Sequence, residues 1–161
     1  MINKLIKQIN EALDHDLYFV ALCTALTLPD ICGKAEYPNI STSERYKVWY
    51  NDHIGQYEQS CDLDQPYLSG DVIYSLRNSL LHAGNPNVDN PKIINEFILV
   101  VEKKNDFGAY YDVSSTTIDG TYKTYRLSAR RLCLLLCKTA KAYFDNNREK
   151  FTFFNYKIVQ R

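Results

Sequence analysis

The spacing of the apolar residues changes twice along this 161-residue chain, and that limits the fold more than any other feature. Up to about residue 81 apolar side chains recur at helical spacing. From Phe97 to Tyr125 the chain is rich in β-formers and partly alternates, and helical spacing returns between Ser128 and Phe144. The pattern predicts a mainly α protein, a bundle of about five helices with a small β insertion before the last one. At this length, residues 1–161 are expected to form a single domain around one core.

The first helix is read from Ile2, Leu5, Ile6, Ile9, Ala12 and Leu13, which share one face. Asp14-His15-Asp16 should break it. Leu17 to Thr27 then reads as a second helix, apolar nearly all round and therefore expected to be central and buried. That apolar run is too short to span a bilayer. Glu11, Asp14 and Asp16 precede it, which argues against a secretion signal and for a cytoplasmic protein without a membrane partner. Pro29-Asp30 either ends this helix or opens a short new turn. Ser41-x-x-Glu44 is a capping box that starts a third helix running to about Gly55. Glu44 and Arg45 are expected on its solvated start and His53 on its surface. Residues 58–66 read as a loop. Ser69 caps a fourth helix over about 70–81, whose stripe Val72, Ile73, Leu76 and Leu80 should face the core.

Pro86 and Pro91 precede the change of character. Phe97–Val101, Ala109–Ser115 and Thr121–Tyr125 are strand candidates, and Asp119-Gly120 is a hairpin signal. Together they predict an antiparallel meander inserted at about 93–127. Ser128 caps the last helix. The aromatic tail Phe151–Tyr156 is expected to be a packed terminal strand or a partner surface.

Five cysteines without a C-x-x-C pair suit free thiols in a reducing compartment. No P-loop, dinucleotide fingerprint, nucleophile elbow or zincin motif occurs, so no cofactor is expected. Asp14-His15-Asp16 is a poor metal candidate, because adjacent residues rarely converge on one ion. The net charge is zero but unevenly placed. Residues 1–119 hold 9 basic and 17 acidic side chains, and residues 120–161 hold 10 basic and 2 acidic ones. The basic end either neutralises the acidic part or forms an anion-binding face. Arg130, Arg131, Lys138 and Lys141 fall within an arc of ~100° on the last helix, with Arg126 just before it. They read as an RNA-backbone grip or as an ordinary solvated face.

Chemistry concentrates in Arg77-Asn78-Ser79-Leu80-Leu81-His82, at a helix end that Gly84-Asn85-Pro86 stops. Arginine is a permanent, forked cation suited to phosphate, and histidine exchanges protons near neutral pH. Residues five apart stand ~140° apart on an ideal helix. Convergence of Arg77 and His82 therefore requires that the helix end fray or tighten, or that two copies of the helix meet in a dimer. The alternative is an Arg77 paired with an acid such as Asp71 of a partner helix and a His82 that only caps the helix. Tyr74 lies on the same polar face as Asn78 and His82.

Arg77-Asn78-Ser79-Leu80-Leu81-His82 resembles the R-x4–6-H motif of HEPN-domain proteins, in which a polar residue commonly follows the arginine. Ala25-Leu26-Thr27-Leu28-Pro29-Asp30-Ile31-Cys32 also resembles a stretch of uncharacterised bacterial proteins of this kind. The resemblance implies a helical bundle that dimerises with the motif helices at the interface. It also implies a metal-independent endoribonuclease of toxin–antitoxin or phage-defence type. Arg77 and His82 would be the catalytic pair and Asn78 the polar helper, acting on single-stranded RNA or tRNA. A 2′,3′-cyclic phosphate would be the product, and an antitoxin or other protein a possible partner. Tyr74, Arg126, Arg130, Arg131, Lys138 and Lys141 are the accompanying candidates for RNA contact. Some members of the family have lost catalysis and serve as modules that bind protein or RNA.

Overall fold

Three serines set where helices begin. In the computed structural model, which describes residues 1–59, 67–83, 94–101, 111–115 and 122–153, each accepts a hydrogen bond from the backbone N–H three residues on. Ser41 Oγ accepts from Glu44 at 3.2 Å, Ser69 Oγ from Val72 at 3.4 Å and Ser128 Oγ from Arg131 at 3.3 Å.

The elements run α1 (Ile2–Asp14), α2 (Tyr18–Ala25), α3 (Leu28–Glu36), α4 (Thr42–Tyr50), α5 (Gln56–Glu58), α6 (Gly70–Asn78), β1 (Ile94–Val100), β2 (Tyr111–Ser115), β3 (Tyr122–Ser128) and α7 (Ala129–Asn146). The chain is mainly helical, as its periodicity predicts. Two π-helical turns, Asn51–Gly55 and Ser79–Ala83, extend α4 and α6, and a 3₁₀ turn covers Arg148–Phe151. Pro29 opens α3 rather than ending α2 without a successor, its missing N–H being harmless in a first turn. Asp16 stands in the left-handed region at φ 57° and accepts a bond from the Tyr18 hydroxyl at 2.7 Å. This is the break expected at residues 14–16.

Helix α7 packs on α1, α2 and α3, and α4 lies between α3 and α6. One continuous apolar cluster joins these helices to the sheet, with Ile9, Leu22, Leu28, Trp49, Ile73 and Leu132 fully covered. The expected stripe of α6 is buried in full.

Helix α2 departs from the expectation of a central helix. Ala21, Leu22 and Ala25 are buried, but Leu17, Phe19 and Val20 are each more than half exposed. Only the face toward α1 and α7 is covered. An apolar run identifies a helix without saying how many neighbours surround it.

The sheet also corrects the expectation. Its order is β1-β3-β2, with β3 antiparallel to β2 but parallel to β1, so it is not an antiparallel meander. A local turn signal can fix the β2–β3 pairing, whereas β1 finds its partner by burial. Phe97 pairs in register with Tyr125 and stacks on it at 5.4 Å, and both are buried. The next pair on that side, Leu99 and Leu127, continues the inward face, while Ile98 and Arg126 point outward. The turn at Asp119-Gly120, the helix stop Gly84-Asn85-Pro86, the loop 60–66 with Cys61, and residues 154–156 lie outside the described residues.

Phe151 belongs to the 3₁₀ turn, not to a strand, and packs edge-on against Phe144 at 4.9 Å. Cys23, Cys32, Cys133 and Cys137 are free thiols. Burial raises Cys32 and pushes Cys133 up to about 12 and Cys137 up to about 11, which keeps them protonated and unreactive. Among the described residues no helix is long and apolar enough to cross a membrane.

Candidate functional site

Two glycines determine how closely the site's three helices meet. A β-carbon on Gly33 of α3 would stand 2.7 Å from the carbonyl oxygen of Arg45, and one on Gly70 of α6 would stand 2.8 Å from the α-carbon of Lys47. Both contacts are to the backbone of α4, so α3 and α6 lie against α4 at a separation that larger residues would forbid. Asp30 stands one helical turn before Gly33, and Arg77 two turns after Gly70. The close approach brings Asp30, Arg45 and Arg77 together.

Asp30 divides its carboxylate between two arginines. Arg45 Nη2 lies 3.4 Å from Oδ1 and Arg77 Nη2 lies 3.5 Å from Oδ2. The side chains of Arg45, Arg77 and Asp30 are only 16%, 17% and 23% exposed, so water weakens these pairs less than at an open surface. Two guanidiniums against one carboxylate leave one positive charge over. The Nε atoms of Arg45 and Arg77 and the Tyr46 hydroxyl are buried with no hydrogen-bond partner among the described residues. Burial pushes the Tyr46 phenol well above its ordinary range; Arg77 opposes this shift and Asp30 adds to it. Tyr46 also meets Tyr74 edge-on at 5.2 Å.

The end of α6 then solves the geometric difficulty in the motif. Ser79–Ala83 form a π turn, whose i→i+5 bonding brings residues five apart onto one face. Arg77 Nη1 comes within 3.4 Å of His82 Nε2 and donates to Asn78 Oδ1 at 2.9 Å. The helix widens at its end; it neither frays nor tightens, and the contact needs no second copy. A guanidinium has only donors. A hydrogen bond across this contact therefore needs a lone pair on the facing ring nitrogen, the tautomer that carries its proton on Nδ1. His82 is exposed, so this lone pair lies at the surface.

Several assignments change with this geometry. The acid on Arg77 is Asp30, not Asp71, which pairs instead with Lys47 at 2.6 Å. Arg45 is not a solvated residue of a helix start. Tyr74 has the Lys47 ammonium 5.4 Å and the Arg77 guanidinium 5.9 Å from its ring centre, so it supports Arg77 rather than offering a free face to a base. Asn78 is engaged with Arg77, not with the imidazole. Arg45 and Tyr46 carried no functional signal in the sequence, and Asp30 stood only within the Ala25–Cys32 stretch, without a role of its own. The available hints were Gly33 and Gly70 at helical spacing from Asp30 and Arg77.

The other basic candidates sit elsewhere, on β3 and α7. Arg130 turns inward. Its Nη2 donates to the Leu13 carbonyl at 2.6 Å, at the C-terminus of α1, and its guanidinium lies 5.7 Å from the Tyr18 ring centre. Lys141 is paired with Asp145 at 2.6 Å. Arg126 and Lys138 are exposed, and Arg131 is half-buried.

His53 is not a simple surface residue. It lies on the other π turn, 4.8 Å from the Trp49 ring and 5.1 Å from the Tyr143 ring. Burial lowers its pKa, Asp52 and Glu36 oppose that shift, and Lys150 adds to it. Beside it, Glu36 accepts hydrogen bonds from the Tyr143 hydroxyl and from Lys150 Nζ at 2.6 Å. The Tyr37 hydroxyl donates to Asp52 at 2.6 Å. This cluster ties the 3₁₀ turn to α3.

No protein-family model matches this chain, and comparison with curated proteins and with solved structures returned no match.

Proposed function

We propose that the chain is a HEPN-like, metal-independent endoribonuclease of toxin–antitoxin or phage-defence type. The observation that carries this reading is the Arg77–His82 contact across the π turn. The unbalanced charge of Arg45 and Arg77 against Asp30 supports it, because a phosphate is drawn to such a site.

The chemistry follows from the two groups. Neutral His82 removes the proton of an RNA 2′-hydroxyl, and the 2′-oxygen attacks the adjacent phosphorus. The P–O5′ bond breaks, the 5′-oxygen takes up a proton from solvent water, His82 gives its own proton back to solvent, and a 2′,3′-cyclic phosphate remains. Arg77 stabilises the charge that gathers on the non-bridging oxygens, and Asn78 holds the guanidinium in place. DNA is inert for want of the 2′-hydroxyl. The reading includes a homodimer whose two motif ends share a cleft.

The test compares wild type with His82→Ala and Arg77→Ala on single-stranded RNA in EDTA. Cleavage by the wild type and its loss, by ~10² or more, in both variants is the expected result. Equal cleavage by all three discards the enzyme. The pairing of Arg77 with Asp30 favours a second reading, a non-catalytic module that binds protein or RNA. That reading predicts a stable complex unaffected by His82→Ala.

A further inference from the structure

We infer that Asp30 is the positioning residue that aims Arg77, and that Arg45 is the second cation which lets it do so without cancelling the charge of Arg77. This rests on the ribonuclease reading of the same site.

The geometry separates the two edges of the guanidinium. Arg77 uses Nη2 toward Asp30 and Nη1 toward Asn78 and His82. The edge facing His82, where a phosphate would arrive, is fixed by what grips the other edge. A carboxylate that faced Arg77 alone would close a two-pronged pair and neutralise it. Asp30 instead gives Arg77 one oxygen and Arg45 the other. On its Nη2 edge Arg77 is thus held by a single long contact to Asp30, which a phosphate can outcompete. When Arg77 turns toward a phosphate, Arg45 remains to balance Asp30, so no bare carboxylate is left in a mostly covered place. Tyr74, itself backed edge-on by Tyr46, stands beside the guanidinium and limits how far Arg77 can turn.

The experiment uses the intact chain and three variants. Asp30→Glu keeps the charge but moves the carboxylate by one methylene. Asp30→Asn keeps the shape but removes the charge. Asp30→Asn combined with Arg77→Ala asks whether Asp30 acts only through Arg77. Thermal melting of each variant is measured first, and kcat and KM on single-stranded RNA in EDTA follow. The expected result is a kcat lowered by ~10²-fold in Asp30→Glu with little change in KM or melting temperature, the scale of a misplacement of about 1 Å. The double variant should be no slower than Arg77→Ala alone.

Wild-type kcat in Asp30→Glu, or effects of Asp30→Asn and Arg77→Ala that simply multiply, would overturn the assignment. The Glu variant retains the counter-charge, so the test survives if Asp30→Asn does not fold. Absence of cleavage by the wild type would remove the ribonuclease reading by itself. The positioning of Arg77 is then read from its Nε–Hε resonance, identified by its loss in Arg77→Ala. A resonance displaced in Asp30→Glu supports the assignment, and one unmoved overturns it.

Discussion

Gly33 lies against Arg45 so closely that a β-carbon on the glycine would be 2.7 Å from the arginine's carbonyl oxygen. The neighbour is backbone, which cannot rotate away. Gly70 meets the backbone of Lys47 in the same manner on the other side of α4.

Gly33→Ala and Gly70→Ala are therefore expected to push α3 or α6 away from α4. Overpacking of this kind costs about 1–3 kcal/mol, which outweighs the helix-propensity gain of about 1 kcal/mol at Gly33. Melting temperatures should fall in both variants. In cleavage assays at a temperature where both remain folded, activity should fall as well, because Arg77 is carried away from Asp30 or Asp30 from Arg77. Unchanged melting in either variant contradicts the close approach.

Acid should loosen the contact between the C-terminal turn and α3. Lys150 and the Tyr143 hydroxyl, both bonded to Glu36, hold its carboxyl below its ordinary 4.5. A lowered carboxylate contributes stability that is complete above 4.5 and is lost as pH falls through the folded value. His53 is lowered from 6.5 by burial, so it too disfavours the folded state once the unfolded chain takes up its proton below about pH 6.5. Both effects have the same sign, and melting temperature should decline in two steps on acidification. Glu36→Gln should flatten the lower step and His53→Phe the upper one. Melting curves of these variants between pH 3 and 8, against wild type, check it (about the range in which carboxylates and imidazoles titrate).

The basic residues should divide by what they touch. Arg130→Met removes a charged hydrogen bond to the Leu13 carbonyl and should cost about 1.5–3 kcal/mol in stability. Its effect on RNA affinity should be small. Lys138→Ala and Arg126→Ala, at exposed positions, should leave stability within about 0.5 kcal/mol. On the ribonuclease reading each should weaken RNA binding and reduce the salt slope by about one. Fluorescence anisotropy with a labelled RNA at several salt concentrations separates the classes. A salt slope that all three variants leave unchanged removes α7 and β3 from the RNA path.

Helix positions were readable because their signals are local. The serine caps at 41, 69 and 128, and the apolar stripe of α6, need only a few neighbouring residues to act. The pairing of β1 was not readable, since it pairs with β3, beyond β2 in the sequence, where Phe97 is buried against Tyr125. The exposure of Phe19 and Val20 depended on which elements pack on α2, and the covered place of His53 on Trp49 and Tyr143.

The chain's order of residues by itself determined the helix starts at Ser41, Ser69 and Ser128, the β-rich segment before the last helix, and the placing of Arg77 and His82 at one helix end. Only the tertiary structure decided that these two side chains meet, because the widened turn after Asn78 changes which residues share a face. It alone decided that Asp30 and Arg45 join them. Those contacts span 15 residues or more and exist only where backbone meets backbone at Gly33 and Gly70, a proximity that no local pattern of side chains encodes.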